Sequence, residues 1–350
     1  MAKAKTRHVL LFDGTWNDPQ DRTNVYKLAR SLPDCDDDVD QRFFYNAGVG
    51  TDRFGKLTGG VTGYGLSENM LEGYDWLARR YCDGDEIFVF GFSRGAYTAR
   101  SFVGLIRKCG LLHIVTPDLL ELAENLYRDK AKEPDGPECT QFRAAYSRVV
   151  RIRMIGVWDT VGALGVPGTT LTHRGHYSWH DTRLSGIVDY ACHAMALDEH
   201  REAYDIEFWT SPDGTMKPEN TYIEQRWFIG AHANVGGGYG DDALADLPFL
   251  WMQQKAIEAG LKLKLVECAP TACMAPVRDS FKEFVKGGYA FFKDLLQPGD
   301  GSYTRRYDIG NKNEKAVNVT VDPSVWQRWK QDDKYRPRTL VAANITPPGN

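Results

Sequence analysis

The run Glu86-Ile-Phe-Val-Phe-Gly-Phe-Ser-Arg-Gly-Ala constrains this chain most. Residues 86–92 are rich in β-branched and aromatic residues and read as a strand. The residues from Arg94 to about Cys109 read as a helix. Between them lies Gly91-Phe92-Ser93-Arg94-Gly95, where two glycines permit a sharp turn and Ser93 stands at its tip with its hydroxyl outward. The small residues Gly95, Ala96 and Ala99 let the helix cross close to neighbouring strands. The plainer reading is a βα turn whose serine only caps the helix. The same alternation runs through the first half of the chain. Residues 8–12 form an apolar strand ending at Asp13-Gly14-Thr15, and a helix follows near residues 24–31. Residues 42–49 read as a second strand. Met70, Leu71, Tyr74, Leu77, Ala78 and Tyr81 fall at helical spacing over residues 67–81. Residues 151–158 and 226–230 are further strands, and residues 244–259 form an amphipathic helix. Strands alternating with helices predict an α/β fold whose central, mostly parallel sheet is covered by helices on both faces.

The length of 350 residues, without repeats or a clear linker, fits one domain. The expected catalytic core is residues 8–260, with insertions at 117–149 and 166–221 and a C-terminal extension over 261–350. The first insertion reads as extra helices with a break at residues 134–137. A net charge of −4 argues against electrostatic nucleic-acid binding. No Walker loop and no complete Gly-x-Gly-x-x-Gly is present, so nucleotide binding has no support. Seven cysteines without a Cys-x-x-Cys pair argue against a disulfide framework and a thiolate zinc site. Residues 1–11 are basic, then briefly apolar, and Asp13 ends that run too early for a secretory signal. Cytoplasmic synthesis is expected, with export by a route that reads no such signal left open.

A serine hydroxyl is a weak nucleophile until a base takes its proton. Asp159 and His232 each end a strand, and the carboxyl ends of parallel strands share one edge of a sheet. The expected triad is therefore Ser93, His232 and Asp159. Asp198, in Ala-Leu-Asp-Glu-His-Arg, is the rival acid, although it reads more as a structural partner of Arg201. The Ala-Asn-Val-Gly-Gly-Gly-Tyr after His232 reads as a flexible loop able to hold the imidazole over the serine. A developing oxyanion needs amide donors. Arg94, directly after the serine, is one candidate, and Gly14 or Thr15 is the second. Asp13 is placed to brace their loop through hydrogen bonds, as Asp does in turns. Leu-Phe-Asp-Gly-Thr is close to the Asp-x-Asp-Gly-Thr of phosphoryl-aspartate hydrolases, but Leu11 holds the nucleophilic position and cannot attack phosphorus.

The remaining clusters have bland readings. His173, His176 and His180 lie in a stretch better suited to a loop or lid than to a metal. Asp241, Asp242 and Asp246 suit a solvated helix start better than a hard-cation site. No metal or cofactor is expected. Phe281, Phe284, Tyr289, Phe291, Phe292 and Leu296, interleaved with Lys282, Lys286 and Lys293, suit a helix packed on the core; the alternative is a surface that borders the substrate entrance at a lipid interface.

Five motifs occur in order: Leu-Phe-Asp-Gly-Thr-Trp-Asn, Gly-Phe-Ser-Arg-Gly-Ala, Val-Trp-Asp-Thr-Val-Gly, Ala-Leu-Asp-Glu-His-Arg and Gly-Ala-His-Ala-Asn-Val-Gly-Gly-Gly-Tyr. Together, over residues 8–259, they resemble the catalytic domain of type VI secretion lipase effectors and the α/β hydrolases related to them. The resemblance implies an α/β-hydrolase fold and a Ser-Asp-His ester hydrolase, with phospholipids the substrate in the effectors. It carries over to Ser93, His232 and Asp159. The effectors carry additional membrane-associating segments, whereas only residues 260–350 follow the shared region here. An ester or lipid substrate and peripheral membrane contact are the implied partners; no protein partner is assigned. The alternatives are a cytoplasmic carboxylesterase or thioesterase on small substrates, and a catalytically silent interaction module.

Overall fold

The computed structural model describes residues 5–14, 22–33, 40–48, 63–161, 184–239, 243–278, 303–310 and 314–349. Among them, seven strands form one sheet: β1 (Thr6–Phe12), β2 (Asp40–Asn46), β3 (Glu86–Phe92), β4 (Ile152–Trp158), β5 (Val188–Ala196), β6 (Tyr222–Phe228) and β7 (Val319–Val321). Their spatial order is β2-β1-β3-β4-β5-β6-β7, and every pairing is parallel. The chain reverses its direction of travel across the sheet between β1 and β3. Crevices at the carboxyl end of such a switch point are where open α/β sheets hold ligands.

The central strands β1, β3 and β4 are largely apolar on both faces because both faces are covered. Leu10 and Phe12 of β1 and Val89 of β3 pack against Tyr74 and Leu77 of α2 (Gly63–Ala78) and Phe102 and Leu105 of α3 (Arg94–Cys109). Val9 and Leu11, with Phe88 and Phe90, pack on the opposite face against Val25 and Leu28 of α1 (Asn24–Ser31) and Phe249 and Met252 of α7 (Ala243–Glu258). Thr23 starts α1 by accepting a hydrogen bond from the Tyr26 amide at 3.1 Å. The helices α4 (Pro117–Arg128) and α5 (Pro137–Tyr146) join the α3 side through Ala123, Tyr127 and Phe142. This is the architecture of an α/β hydrolase.

Four features differ from the expectations. β6 starts four residues earlier than the strand read at 226–230 and ends at Phe228, so Gly230 and His232 lie beyond it. β2 starts two residues earlier than read and ends at Asn46, so residues 47 and 48 lie beyond the ladder. The region expected as one insertion, 166–221, contains β5, which sits between β4 and β6 in the sheet. Asp189, Tyr190 and His193 interrupt the apolar run that identifies a buried strand, which hid it. The C-terminal stretch supplies β7 along β6, followed by α8 (Pro323–Gln331) and α9 (Arg338–Ala342). Val325, Tyr335 and Leu340 close a third core with Phe208 and Trp227. Among the described residues, no helix is long and apolar enough to cross a membrane.

Candidate active site

The turn after β3 is forced by close approach. A Cβ at Gly95 would lie 2.1 Å from the Phe12 carbonyl oxygen, and one at Gly91 would lie 2.3 Å from that of Gly95. Only glycine lets the start of α3 press against the end of β1. Ser93 at the tip has φ +58° and ψ −121°, a conformation costly to a residue with a Cβ. Its amide is fixed by the Trp158 carbonyl of β4 at 3.1 Å.

Asp159 follows β4 with φ +40° and no solvent exposure. Its amide bonds the Ala194 carbonyl at 2.7 Å, which turns the side chain along the carboxyl edge of the sheet. His232 opens the short helix α6 (His232–Gly236) after β6. Gly230, at φ +108°, could carry no Cβ: it would meet Asn234 at 2.4 Å. Asn234 in turn accepts from the Ala231 amide at 3.1 Å and so closes the start of α6. The first part of the stretch read as a flexible loop, residues 233–236, is therefore a packed helix, and Gly237 ends it in the left-handed region. A Cβ at Gly236 would lie 1.9 Å from the Phe92 ring, and that ring stacks on the His232 imidazole with centroids 4.7 Å apart and an interplanar angle of 33°.

These three strand ends bring the expected side chains together. The Ser93 hydroxyl donates to His232 Nε2 at 2.8 Å, and His232 Nδ1 donates to Asp159 Oδ2 at 2.6 Å. Asp159 Oδ1 accepts from the Ala196 amide at 2.8 Å. The buried guanidinium of Arg305 forks onto both oxygens of Asp159, at 2.7 Å to Oδ1 and 3.0 Å to Oδ2. Burial opposes the charge on Asp159, but Arg305 and His232 outweigh it and hold the carboxyl far below the usual carboxylate range. Burial also lowers the affinity of His232 for a proton, with Asp159 pulling the other way, and the imidazole ends below its ordinary value.

The other expected positions are distributed as follows. Arg94 opens α3, so its amide lies at a helix N-terminus beside Ser93. The Gly14 amide donates to Asp13 Oδ1 at 2.7 Å in this resting arrangement. Asp13 Oδ2 accepts from the Thr23 hydroxyl at 2.6 Å and the Tyr45 hydroxyl at 2.8 Å, so Asp13 braces the end of β1 through side chains as well as backbone. Asp198 does not pair with Arg201. Its Oδ2 accepts from the Gly230 amide at 2.7 Å and the Tyr335 hydroxyl at 3.0 Å, which places it under the start of the His232 segment. Glu199 takes Arg201 instead, with two contacts of 2.8 Å, and its Oε2 accepts from the His232 amide at 3.3 Å. Asp246 forms an ion pair with Lys27 at 2.9 Å. Among the described residues, no three His, Cys, Asp or Glu side chains assemble to hold a metal. Thr15, His173, His176, His180, Asp241, Asp242 and the aromatic segment 281–296 lie outside the described residues.

The model of the family described as T6SS, phospholipase effector Tle1-like, catalytic domain matches residues 6–255. The chain belongs to this family. As a Tle1-like domain it is a catalytic domain of the ester-hydrolase type. An uncharacterised protein of Saccharomyces cerevisiae is 28% identical over 219 residues; the match covers 55% of this chain and 31% of that relative's length. Among solved structures, the Tle1 effector bound to the VgrG spike of the type 6 secretion system has 13% identity and a TM-score of 0.45, covering 91% of this chain and 94% of that one. A thermophilic esterase from the Planctomycetes species Thermogutta terrifontis has 11% identity and a TM-score of 0.38, covering 75% of this chain and 84% of that one.

Sequence reasoning missed Glu199 and Tyr204 within the matched residues and Arg305 beyond them. The Tyr204 ring lies edge-on to His232 with centroids 5.1 Å apart, and the Arg201 guanidinium lies over the Tyr204 ring, 3.6 Å from its centroid. Glu199 carries a signal, since it lies inside Ala-Leu-Asp-Glu-His-Arg beside the rival acid Asp198. Arg305 carried none, being 146 positions from Asp159.

Proposed function

We propose that this Tle1-like domain cleaves the carboxylic esters of lipids, phospholipids among them, through an acyl-enzyme on Ser93. The observation that carries the reading is the continuous chain from Ser93 Oγ through both imidazole nitrogens of His232 to an ionised, buried Asp159. In this reading the Ser93 oxygen attacks the ester carbonyl as His232 Nε2 takes its proton. The tetrahedral intermediate expels the alcohol, which receives that proton from His232. Water then attacks the acyl-enzyme with His232 again as base, releasing the acid and restoring Ser93. Asp159 stays ionised throughout and holds the Nδ1 proton. The Arg94 amide and an amide of the Gly14-Thr15 loop receive the oxyanion. If Gly14 serves, its N–H exchanges Asp13 Oδ1 for the substrate oxygen. Contact with a lipid surface is part of the same proposal.

A panel of short soluble esters, long-chain esters, lysolipids and phospholipid vesicles, run with wild type and Ser93→Ala, tests it. Cleavage of vesicle phospholipid by wild type alone is the expected result. Cleavage of short soluble esters only would replace the lipid reading by that of a carboxylesterase. Unchanged activity in Ser93→Ala would remove Ser93 from the mechanism.

A further inference from the structure

Arg305 is a fully buried cation on the C-terminal stretch, and it bonds both carboxylate oxygens of Asp159 and two backbone carbonyls next to the candidate triad. Nη1 bonds Asp159 Oδ1 at 2.7 Å and the Ala196 carbonyl at 2.8 Å. Nη2 bonds Asp159 Oδ2 at 3.0 Å and the Tyr204 carbonyl. Four of its five N–H groups are used, and Nε has no partner among the described residues. The planar fork matches a carboxylate in one orientation only. Asp159 therefore cannot rotate away from His232 without breaking both arms. The same guanidinium ties the end of β5 to Tyr204, whose ring lies against His232.

The groups that face the imidazole come from several elements. Ser93 and Phe92 face it from β3 and α3, both uncharged there. Asp159 faces it from β4, and Glu199, Arg201 and Tyr204 from the stretch after β5. Asp205 lies behind, close to Arg305, with Oδ1 accepting the Ile206 amide at 2.9 Å. Next to His232, two carboxylates thus meet two guanidiniums, Glu199 with Arg201 and Asp159 with Arg305. Without Arg305 the pair Asp159–His232 would carry an uncompensated negative charge in a dry site. A protonated His232 would neutralise it, and an imidazolium cannot accept the Ser93 proton.

We infer that Arg305 is a positioning residue of this site: its fork fixes Asp159 toward His232 Nδ1, and its charge keeps the resting imidazole neutral and ready to act as base. The inference rests on the triad reading above. It also gives the segment after residue 302, which lies beyond the matched residues 6–255, a part in the chemistry.

The test is the pH profile of kcat/KM for a soluble ester in wild type, Arg305→Gln and Arg305→Lys, with rates divided by sites titrated with a fluorophosphonate. The acid limb of such a profile reports the base of the free enzyme. Loss of the positive charge beside Asp159 should move that limb upward by about one pH unit or more in Arg305→Gln, and fixing of Asp159 should be lost with a roughly tenfold lower plateau of kcat/KM. Arg305→Lys keeps the charge without the fork, so its limb should stay near that of wild type while its plateau falls. A structural role alone would lower the melting temperature and the titrated fraction and leave the limb in place per active site; that result overturns the inference. If Arg305→Gln does not fold, Arg305→Lys decides: an upward limb contradicts the charge argument and a wild-type plateau contradicts the fork. Ser93→Ala and Asp159→Asn run alongside. If they keep wild-type rates, the triad reading fails. If they are inactive while both Arg305 variants behave as wild type, only the role of Arg305 falls.

Discussion

Replacing Asp159 by Asn removes one charge and leaves the shape, so its cost can be worked from contacts. Asp159 accepts four hydrogen bonds: from Ala196 N and Arg305 Nη1 on Oδ1, and from His232 Nδ1 and Arg305 Nη2 on Oδ2. Asn has one accepting oxygen and an NH₂ that must face donors wherever it turns. Facing Ala196, it meets a backbone amide that cannot move. Facing His232, it meets a ring that can change tautomer, placing the proton on Nε2, where Ser93 needs a lone pair. Wrong-tautomer variants of this kind lose about 10⁴-fold in kcat, equivalent to about 5.5 kcal/mol of barrier. Stability falls too, because Arg305 is left buried with half a partner. Removing one member of a buried pair costs about 3–5 kcal/mol, or about 10 °C in melting temperature for a domain of this size. Adding Arg305→Met to Asp159→Asn removes the unpaired charge and should recover part of the melting temperature but none of the activity. Asp198→Asn is the control. Both donors to Asp198 reach one oxygen, which Asn retains, so its activity should stay within about threefold of wild type. The assay is ester turnover per titrated site, with melting followed by circular dichroism. More than a tenth of wild-type activity in Asp159→Asn, or a greater loss in Asp198→Asn, would refute this account of the acid.

Gly236→Ala should push the Phe92 ring off its stack with His232, lowering kcat by roughly tenfold; an off-rotamer ring of this kind costs about 1 kcal/mol, and unchanged kinetics would show that α6 adjusts freely. His193 is buried, with burial and Arg100 holding it neutral down to about 3. The unfolded chain therefore binds more protons than the folded one below about pH 6.5, so this group makes stability fall as pH falls from there toward about 3. Urea midpoints measured from pH 7 to pH 4 should decline less steeply in His193→Gln, provided that variant folds.

The parts of the fold legible in the sequence were those that obey a local period. β1, β3 and β4 each carry an apolar run because helices cover both faces, and α2 and α3 show their stripes at helical spacing. β5 was hidden because its centre holds His193, whose Nε2 accepts the Thr160 amide at 3.1 Å. A buried polar group satisfied by a distant backbone leaves no period to read. In the site, Ser93, Asp159 and His232 were visible because each follows a strand, and parallel strands collect their ends at one edge. The surroundings of the candidate triad were not. The pairing of Arg201 with Glu199 rather than Asp198 depends on which way a turn faces. Arg305 reaches Asp159 only once the C-terminal stretch has folded back over the edge of β5.

The central claim is that Ser93 is an activated nucleophile. Labelling the full chain with a fluorophosphonate and mapping the adduct by mass spectrometry tests it directly, since an unactivated serine does not react. One adduct on Ser93, absent from Ser93→Ala and strongly slowed in His232→Ala with both variants folded, is the result expected. No adduct on the folded wild-type chain, or labelling that persists at another serine in Ser93→Ala, would contradict it.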